Sequence, residues 1–256
     1  MLQEERFEFI MSRLSIKGAV KVTDIAEELG ISQSTIRRDI KEMHDQGRLK
    51  KVFGGAVLVD SSITTEDSEI AIREHENTDA KRAIGSFAAS QITEKDFVFI
   101  DAGTTTRRII PFIDESLKDN VTFVTNGVVH ARELAARGFT VYVPSGKLKW
   151  TTEALVGTSA VDYISNCNFT KCFMGANAVD LKKGFTIPEI DESRLKSAVM
   201  RNSASAYVLV DRTKFNKISS VSFGKINSGI IITDTCPDKD YMDETVVIEI
   251  ADESEE

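Results

Sequence analysis

The stretch Val22–Ile40, VTDIAEELGISQSTIRRDI, decides how the rest of the chain is read. Ile25, Ala26 and Leu29 recur at helical spacing after Thr23, a good N-cap residue, so a helix is predicted from about Thr23 to Gly30. Ser32 is placed to cap a following helix that carries Ile36, Ile40 and Met43 on one side. Between the two, the spacing Ala26-x3-Gly30-x5-Ile36 gives steeply packed helices what they need: a small residue at the crossing, a turn residue tolerant of positive φ, and a β-branched plug. These are the requirements of a helix-turn-helix. At about 100° per residue, Ser34, Arg37, Arg38 and Lys41 fall opposite the apolar side as a basic stripe. Arg37 and Lys41 are like charges four apart, which is unfavourable in an isolated helix unless an anion lies between them. DNA phosphate is such an anion; the competing account is a solvated face in which Arg38 pairs with Glu42.

Upstream, Phe7, Ile10, Met11 and Leu14 line one face of a first helix, and Gly18 ends it. Downstream, Gly47–Ala56 (GRLKKVFGGA) alternates around a glycine turn and carries bases but no acid. It reads as a wing, a β-hairpin laid beside the phosphate backbone. An ordinary hairpin closing a small core accounts for Leu49, Val52 and Phe53 but not for the missing acids. Gln33, Ser34, Thr35 and Arg37 are expected at base edges in the major groove, and Ser32, Arg38, Lys41, Lys50 and Lys51 mainly at phosphates.

Bulk charge argues the other way. The 256 residues hold 32 Lys and Arg against 40 Asp and Glu, a net charge of −8. Ten of those acids, with one base, lie between Asp234 and Glu256, and the segment Ile36–Val52 has six bases against three acids. Placement therefore permits a nucleic-acid partner that the total would exclude. An apolar content of 41% with 4 prolines excludes global disorder. No apolar run reaches the roughly 20 residues of a membrane span and no signal peptide opens the chain, so a soluble, cytoplasmic protein is expected. Cys167, Cys172 and Cys236 form no CxxC pair and the three histidines, 44, 75 and 130, are scattered. They are read as reduced, buried thiols with no metal site and no cofactor.

The chain divides by pattern into residues 1–57, a winged helix-turn-helix; 58–78, a linker turning helical near Ile70–Arg73; 79–234, strands alternating with helices; and 235–256, an acidic segment with a terminal strand. Strands are predicted at Phe97–Asp101, Val121–Thr125, Thr140–Pro144, Lys171–Gly175, Tyr207–Asp211, Gly229–Thr233 and Val246–Ile250. Helices are predicted at Lys81–Gln91, Thr105–Ile113, Val128–Arg137 and Glu192–Ser203. Short apolar strands separated by helices imply an α/β domain whose mostly parallel sheet is covered on both faces. After its first strand comes Ala102-Gly103-Thr104-Thr105-Thr106 and a helix start, where Gly103 permits close approach and the hydroxyls and amides are donors: by mechanism a phosphate cradle. Arg107 and Arg108 either add charge or lie on the surface. Polar turns at Asn126-Gly127, Ser145-Gly146-Lys147, Gly175-Ala176-Asn177 and Asp211–Lys214 follow later strands, along the edge where such sheets bind ligands, though each alone is an ordinary loop.

Together, Val22–Leu29, Ser32–Ile40 with its Thr35-Ile36-Arg37-Arg38-Asp39 string, and Gly54-Gly55-Ala56 resemble the DeoR family of bacterial transcriptional regulators. The resemblance continues through most of the second domain, whose fold in that family is similar to ribose-5-phosphate isomerase. It implies that Asp101, Gly103, Thr104 and Thr105 hold an effector phosphate, with Asn126, Gly175, Lys196 and Lys214 as further pocket residues. Where the isomerases carry Gly-Ala-Asp-Glu-x-Asp, this chain has Gly175-Ala176-Asn177-Ala178-Val179-Asp180. Two carboxylates that acid–base isomerisation needs are missing, which favours binding without turnover. Glu192 and Lys196 are either a functional pair or a helix salt bridge. Gly184–Glu189 is expected to be a lid, and its similarity to regulators of fructose utilisation implies fructose 1-phosphate as effector. The expectation is a repressor, dimeric or larger, binding operator DNA under control of a phosphorylated sugar. Its rivals are an isomerase or CoA-transferase-like enzyme with a DNA-binding head, and a sheet domain that only mediates assembly.

Overall fold

In a computed structural model the chain divides into two compact units, residues 1–62 and 63–256. The structure describes residues 3–45, 48–58 and 70–250. Gly47 of the expected wing, positions 59–69 of the expected linker and the last six residues of the acidic segment lie outside them.

The first unit runs α1 (Gln3–Lys17), β1 (Ala19–Lys21), α2 (Val22–Leu29), α3 (Gln33–Asp45), β2 (Leu49–Val52) and β3 (Gly55–Leu58). Phe7, Ile10, Leu14, Ile25, Ala26, Ile36, Ile40 and Met43 form its core, with Val20, Leu49 and Ala56 from the sheet. Gly30 ends α2 at φ 64°, and the next amides, Gly30 and Ile31, turn back to the carbonyls of Glu27 and Ala26. That left-handed turn, which glycine enters at little cost, aims α3 across α2. Thr23 is not the cap of α2. The helix starts one residue earlier because β1 delivers the chain directly into it, and the Val22 amide is satisfied by the Gly54 carbonyl at 2.9 Å. Strand β3 pairs antiparallel with both β1 and β2, so the hairpin is the outer part of a three-stranded sheet.

The second unit begins with α4 (Ile70–Glu74) and α5 (Thr78–Ser90), then β4 (Phe97–Ile100), α6 (Thr104–Arg107), β5 (Thr122–Thr125), α7 (Val128–Ala136) and β6 (Thr140–Tyr142). A hairpin, β7 (Lys147–Lys149) and β8 (Ala154–Val156), leads to α8 (Thr158–Ser165) and β9 (Phe169–Gly175). There follow β10 (Ala178–Asp180), β11 (Gly184–Ile187), α9 (Ile190–Arg201), β12 (Ser203–Leu209), β13 (Val221–Gly224), β14 (Ile230–Thr233), α10 (Asp240–Glu244) and β15 (Val247–Glu249). Seven strands form a parallel sheet in the order β15-β14-β12-β9-β4-β5-β6.

Alternation along each strand feeds two cores. Val98 and Ile100 face α5 and α7 with Ile84, Ala88 and Leu134; Phe99 faces α8 and α9 with Ile164, Leu195 and Val199. Between β4 and β9 the strand order reverses, since β5 and β6 extend the sheet one way and β12, β14 and β15 the other. Such a switch point opens a crevice beyond the strand ends.

Several expectations change. The helix predicted over Thr105–Ile113 stops at Arg107, and Ile110–Phe112 is a 3-10 turn. Pro111 lacks the N–H that would reach back four residues, and its ring would strike that carbonyl. Gly184–Glu189 is not a lid: β11 is buried throughout, between β10 and β13 in a small antiparallel sheet. The hairpin β7–β8 and helix α8 carried no prediction because strands of three residues give hydropathy too little to repeat. Other expectations hold: the turn to helix expected near Ile70–Arg73 is α4, and the terminal strand expected in the acidic segment is β15, at the edge of the sheet. Among the described residues no helix is long and apolar enough to cross a membrane.

Candidate nucleic-acid interface and ligand pocket

On α3 the buried positions are Ile36, Asp39, Ile40 and Met43. Gln33, Ser34, Arg37, Arg38 and Lys41 are exposed together with Ser32 just before the helix, and Thr35 is half-buried. Ser32 caps the helix: its hydroxyl accepts from the Thr35 amide at 3.3 Å and bonds the Ser34 and Thr35 hydroxyls at 2.8 and 2.9 Å. Ser32 is thereby partly committed to the fold. Arg37 donates to Gln33 Oε1 at 3.3 Å, one turn earlier, which aligns the two side chains on the exposed face. Glu42 accepts from Gln3 Nε2 of α1 at 2.8 Å.

Asp39, the acid closing the Thr-Ile-Arg-Arg-Asp string, belongs to the interior. Arg6 of α1 forks onto it through Nε at 2.6 Å and Nη2 at 2.9 Å. The pairing raises the Arg6 pKa still further, chiefly through the hydrogen bond to Asp39. On the wing, Lys50 and Lys51 are exposed. Of the three residues an ordinary hairpin would bury, only Leu49 is buried; Val52 is exposed and Phe53, at the tip, is 108% exposed. The exposure of Val52 and Phe53 goes against the ordinary-hairpin account and agrees with the wing.

In the second unit a pocket lies at the switch point. It is lined by Asp101–Thr105 after β4, Gly175–Asn177 after β9, Glu192 and Lys196 of α9, Lys214 after β12, and Arg73, Lys81, Thr152 and Ile187. Within the loop, the Gly103 amide is taken by the Asp101 carbonyl and Thr106 Oγ1, and the Ala102 amide by Asn126 Oδ1. The amides and hydroxyls of Thr104 and Thr105 are therefore what the loop offers. Helix α6 has only four residues, so its dipole is small and the charge that attracts an anion must come from side chains.

The carboxylates are already engaged. Asp101 Oδ2 receives the Lys196 ammonium and the Gly175 amide, and Lys196 also donates to the Gly175 carbonyl at 2.9 Å. This cluster ties the ends of β4 and β9 together and leaves Lys196 one donor for a ligand. Asp101, which the family resemblance implies as a phosphate-holding residue, lines the pocket with its Oδ2 occupied by Lys196 and the Gly175 amide. Glu192 accepts from Lys149 at 3.0 Å and from Thr152 at 2.8 Å, both on the β7–β8 hairpin. It thus serves neither as an intrahelical bridge nor as an unpaired base. Lys81, Arg73 and Lys214 bring further positive charge to the same space. Burial depresses the Lys81 pKa, Asp211 partly restores it, and Lys214 and Arg73 lower it further.

Eight of the expected effector residues line this pocket: Asp101, Gly103, Thr104, Thr105, Gly175, Asn177, Lys196 and Lys214. Thr106, Asn126 and Gly127 stand behind the loop instead. The Thr106 hydroxyl donates to the carbonyls of Asp101 and Gly103, and a Cβ at Gly127 would come within 2.6 Å of His130. His130 is buried and its Nε2 meets the Gly103 carbonyl at 3.0 Å, a contact that requires Nε2 to donate. Burial pushes its pKa down to about 4. Arg107 turns away to Glu133 and Glu74, and Arg108 to the Glu74 carbonyl.

Sequence reading missed Arg73, Lys81 and Thr152. Lys81 left a signal: with Ile84, Gly85 and Ala88 it falls on the buried face of α5, where a lysine is out of place. Asp180, the carboxylate retained from the isomerase-like string, caps the turn at Lys182 and Lys183 and is not a pocket residue. Only Cys172 of the three cysteines is fully buried, with its thiol pushed up to about 12 by burial; Cys167 and Cys236 are half-buried. No group of three or more histidine, cysteine or acidic side chains among the described residues is arranged to hold a metal.

A winged helix-turn-helix with an exposed basic reading face, joined to an α/β unit with a cation-rich pocket at its switch point, defines a transcriptional regulator with a sensor domain. The chain belongs to the DeoR family: residues 6–62 match the DeoR-like helix-turn-helix domain and residues 76–235 the DeoR C terminal sensor domain. It is 35% identical over 250 residues to the uncharacterized HTH-type transcriptional regulator FruR of Bacillus subtilis strain 168, covering 96% of this chain and 98% of that one. It is 31% identical over 252 residues to the lactose phosphotransferase system repressor of Staphylococcus aureus strain NCTC 8325, covering 96% of each. Among solved structures, ribose 5-phosphate isomerase A from Methanocaldococcus jannaschii is similar with a TM-score of 0.40, 14% identity and 56% of each chain covered. With regulators as its full-length relatives, the chain is a regulator and not an enzyme.

Proposed function

We propose that this regulator represses a sugar-utilisation operon from the cytoplasm and is controlled by a phosphorylated sugar, with fructose 1-phosphate as the effector suggested by the resemblance of Gly184–Glu189 to regulators of fructose utilisation. The observation that carries the reading is the charge balance of the pocket: Asp101 and Glu192 are each already paired, while Arg73, Lys81 and Lys214 gather beside the Thr104–Thr105 donors. A dianionic phosphate would relieve their mutual repulsion. Lys196, Asn177 and Glu192 offer donors and an acceptor for sugar hydroxyls, with Ile187 as an apolar wall. Operator half-sites would be read by Gln33, Ser34, Thr35 and Arg37 in the major groove, while Arg38, Lys41, Lys50 and Lys51 hold phosphates and Ser32 chiefly fixes the start of α3. Two or more copies are needed, since one small head seldom gives adequate specificity.

The test is a thermal-shift series with fructose 1-phosphate, fructose 6-phosphate, ribose 5-phosphate and unphosphorylated fructose. At about 100 times its Kd the true effector stabilises the sensor by roughly 2.7 kcal/mol. Fructose 1-phosphate is expected to shift the transition most and unphosphorylated fructose not at all. Equal shifts with phosphorylated and free sugar would remove the phosphate from the reading, and a larger shift with another sugar phosphate would replace the effector.

A further inference from the structure

Helix α4 is the first described element after residues 59–69, and its ties run to elements of the pocket. The Ile70 amide donates to the Thr151 carbonyl at 3.1 Å, next to Thr152, whose side chain lines the pocket and holds Glu192. The Arg73 carbonyl accepts from the Lys81 ammonium, itself a lining group. The Glu74 carboxylate accepts from Arg107, at the far end of the four-residue helix that begins with Thr104, and the Glu74 carbonyl accepts from Arg108 at 3.3 Å. Arg73 itself lines the pocket.

Charge acts on the same ties. Arg73, Lys81 and Lys214 all line the pocket; Lys214 and Arg73 disfavour the charged form of Lys81, while Asp211 and Glu76 favour it. An anion among the three cations adds an attraction that holds Arg73, and with it a five-residue helix, at the sheet edge.

We infer that α4 is a strap closed by the ligand: the anionic group of a bound molecule clamps Arg73 against Lys81 and Lys214, and through α4 occupancy of the pocket reaches the chain that precedes it. This rests on the reading of the pocket as an anion site. Because Arg73 contacts the ligand only when the strap is docked, the ligand favours the docked state, and by linkage the docked state binds the ligand more tightly. Sequence order gives the strap its meaning, since α4 is the last element before the segment leading back to the helix-turn-helix unit.

The experiment is amide hydrogen exchange on the full chain, with inorganic phosphate and fructose 1-phosphate as probes and chloride at matched ionic strength as control. For a probe at ten times its Kd, an opening that releases it is suppressed about elevenfold, so peptides covering Ile70–Glu76 should exchange about tenfold more slowly. Arg73→Gln is expected to abolish that protection while keeping a thermal shift at higher probe concentration, and Arg73→Lys to restore part of it. Thermal stabilisation by either probe without slower exchange at Ile70–Glu76 overturns the strap and leaves the anion site standing. Failure of both probes to stabilise the wild-type chain overturns the anion site and the strap together. Full protection in Arg73→Gln would assign the clamping to another group and overturn the role of Arg73.

Discussion

Arg37 and Asp39 are two residues apart on one helix and carry opposite burdens. Arg37 faces outward with Gln33, while Asp39 is 2% exposed and forked by Arg6. Arg37→Ala should therefore weaken operator binding by about 1–3 kcal/mol, with head stability unchanged. Asp39→Ala leaves the Arg6 guanidinium half-buried without its carboxylate, which should cost the head about 1–3 kcal/mol of folding stability. Filter binding alongside urea unfolding separates the two, and a loss of stability in the Arg37 variant would return that side chain to the fold. His130 gives a pH signature. Its folded pKa of about 4 lies below the ordinary 6.5, so both states are neutral above pH 6.5 and stability is full there. As pH falls toward 4 the unfolded chain takes up a proton that the folded chain refuses, and stability declines, by about 2 kcal/mol at pH 5. His130→Gln should flatten that slope relative to wild type in urea unfolding at pH 7.5 and pH 5; parallel slopes would mean that other groups govern the acid limb.

At the scale of elements, the wing and the loop after β4 are both short, glycine-containing and offered to an anion, but they achieve it differently. The wing places Lys50 and Lys51 on a strand whose partner, β3, is fixed by β1. Each phosphate contact contributes about 0.9 to the slope of log affinity against log salt, so Lys50→Gln with Lys51→Gln should flatten that slope by about 2 per head. An unchanged slope, measured by fluorescence anisotropy from about 50 to 200 mM salt, would leave the hairpin outside the interface. The loop depends instead on cations delivered by α4, α5 and the turn after β12, because a four-residue helix has little dipole of its own. Sequence periodicity extended that helix across Pro111, and Gly184–Glu189 was expected to be a lid although the apolar residues of β11 mark an interior strand. In both cases the local pattern was read without the neighbour that ends or buries it.

For the whole molecule, the net charge of −8 describes neither interface. The acids that dominate it gather after strand β14, around α10 and the edge strand β15, whereas the reading face of α3 and the wing tip are basic. What the sequence by itself determined was whatever is encoded within a few turns of chain: the helix-turn-helix spacing, the exposed stripe on α3, the seven strands of the parallel sheet with helices α5, α7 and α9, and the loop Asp101–Thr106. Those features follow from periodicity and from the conformational demands of single residues, which act over short range. Only the tertiary structure decided that β4 and β9 flank the switch point, that Asp101 spends its charge on Lys196, that Thr106, Asn126 and Gly127 stand behind the loop, and that Arg73, Lys81 and Thr152 reach the pocket. Those outcomes depend on strand order and on charges brought together from positions as far apart as 73 and 214. Electrostatic energy depends on distance in space, and separation along the chain does not report it.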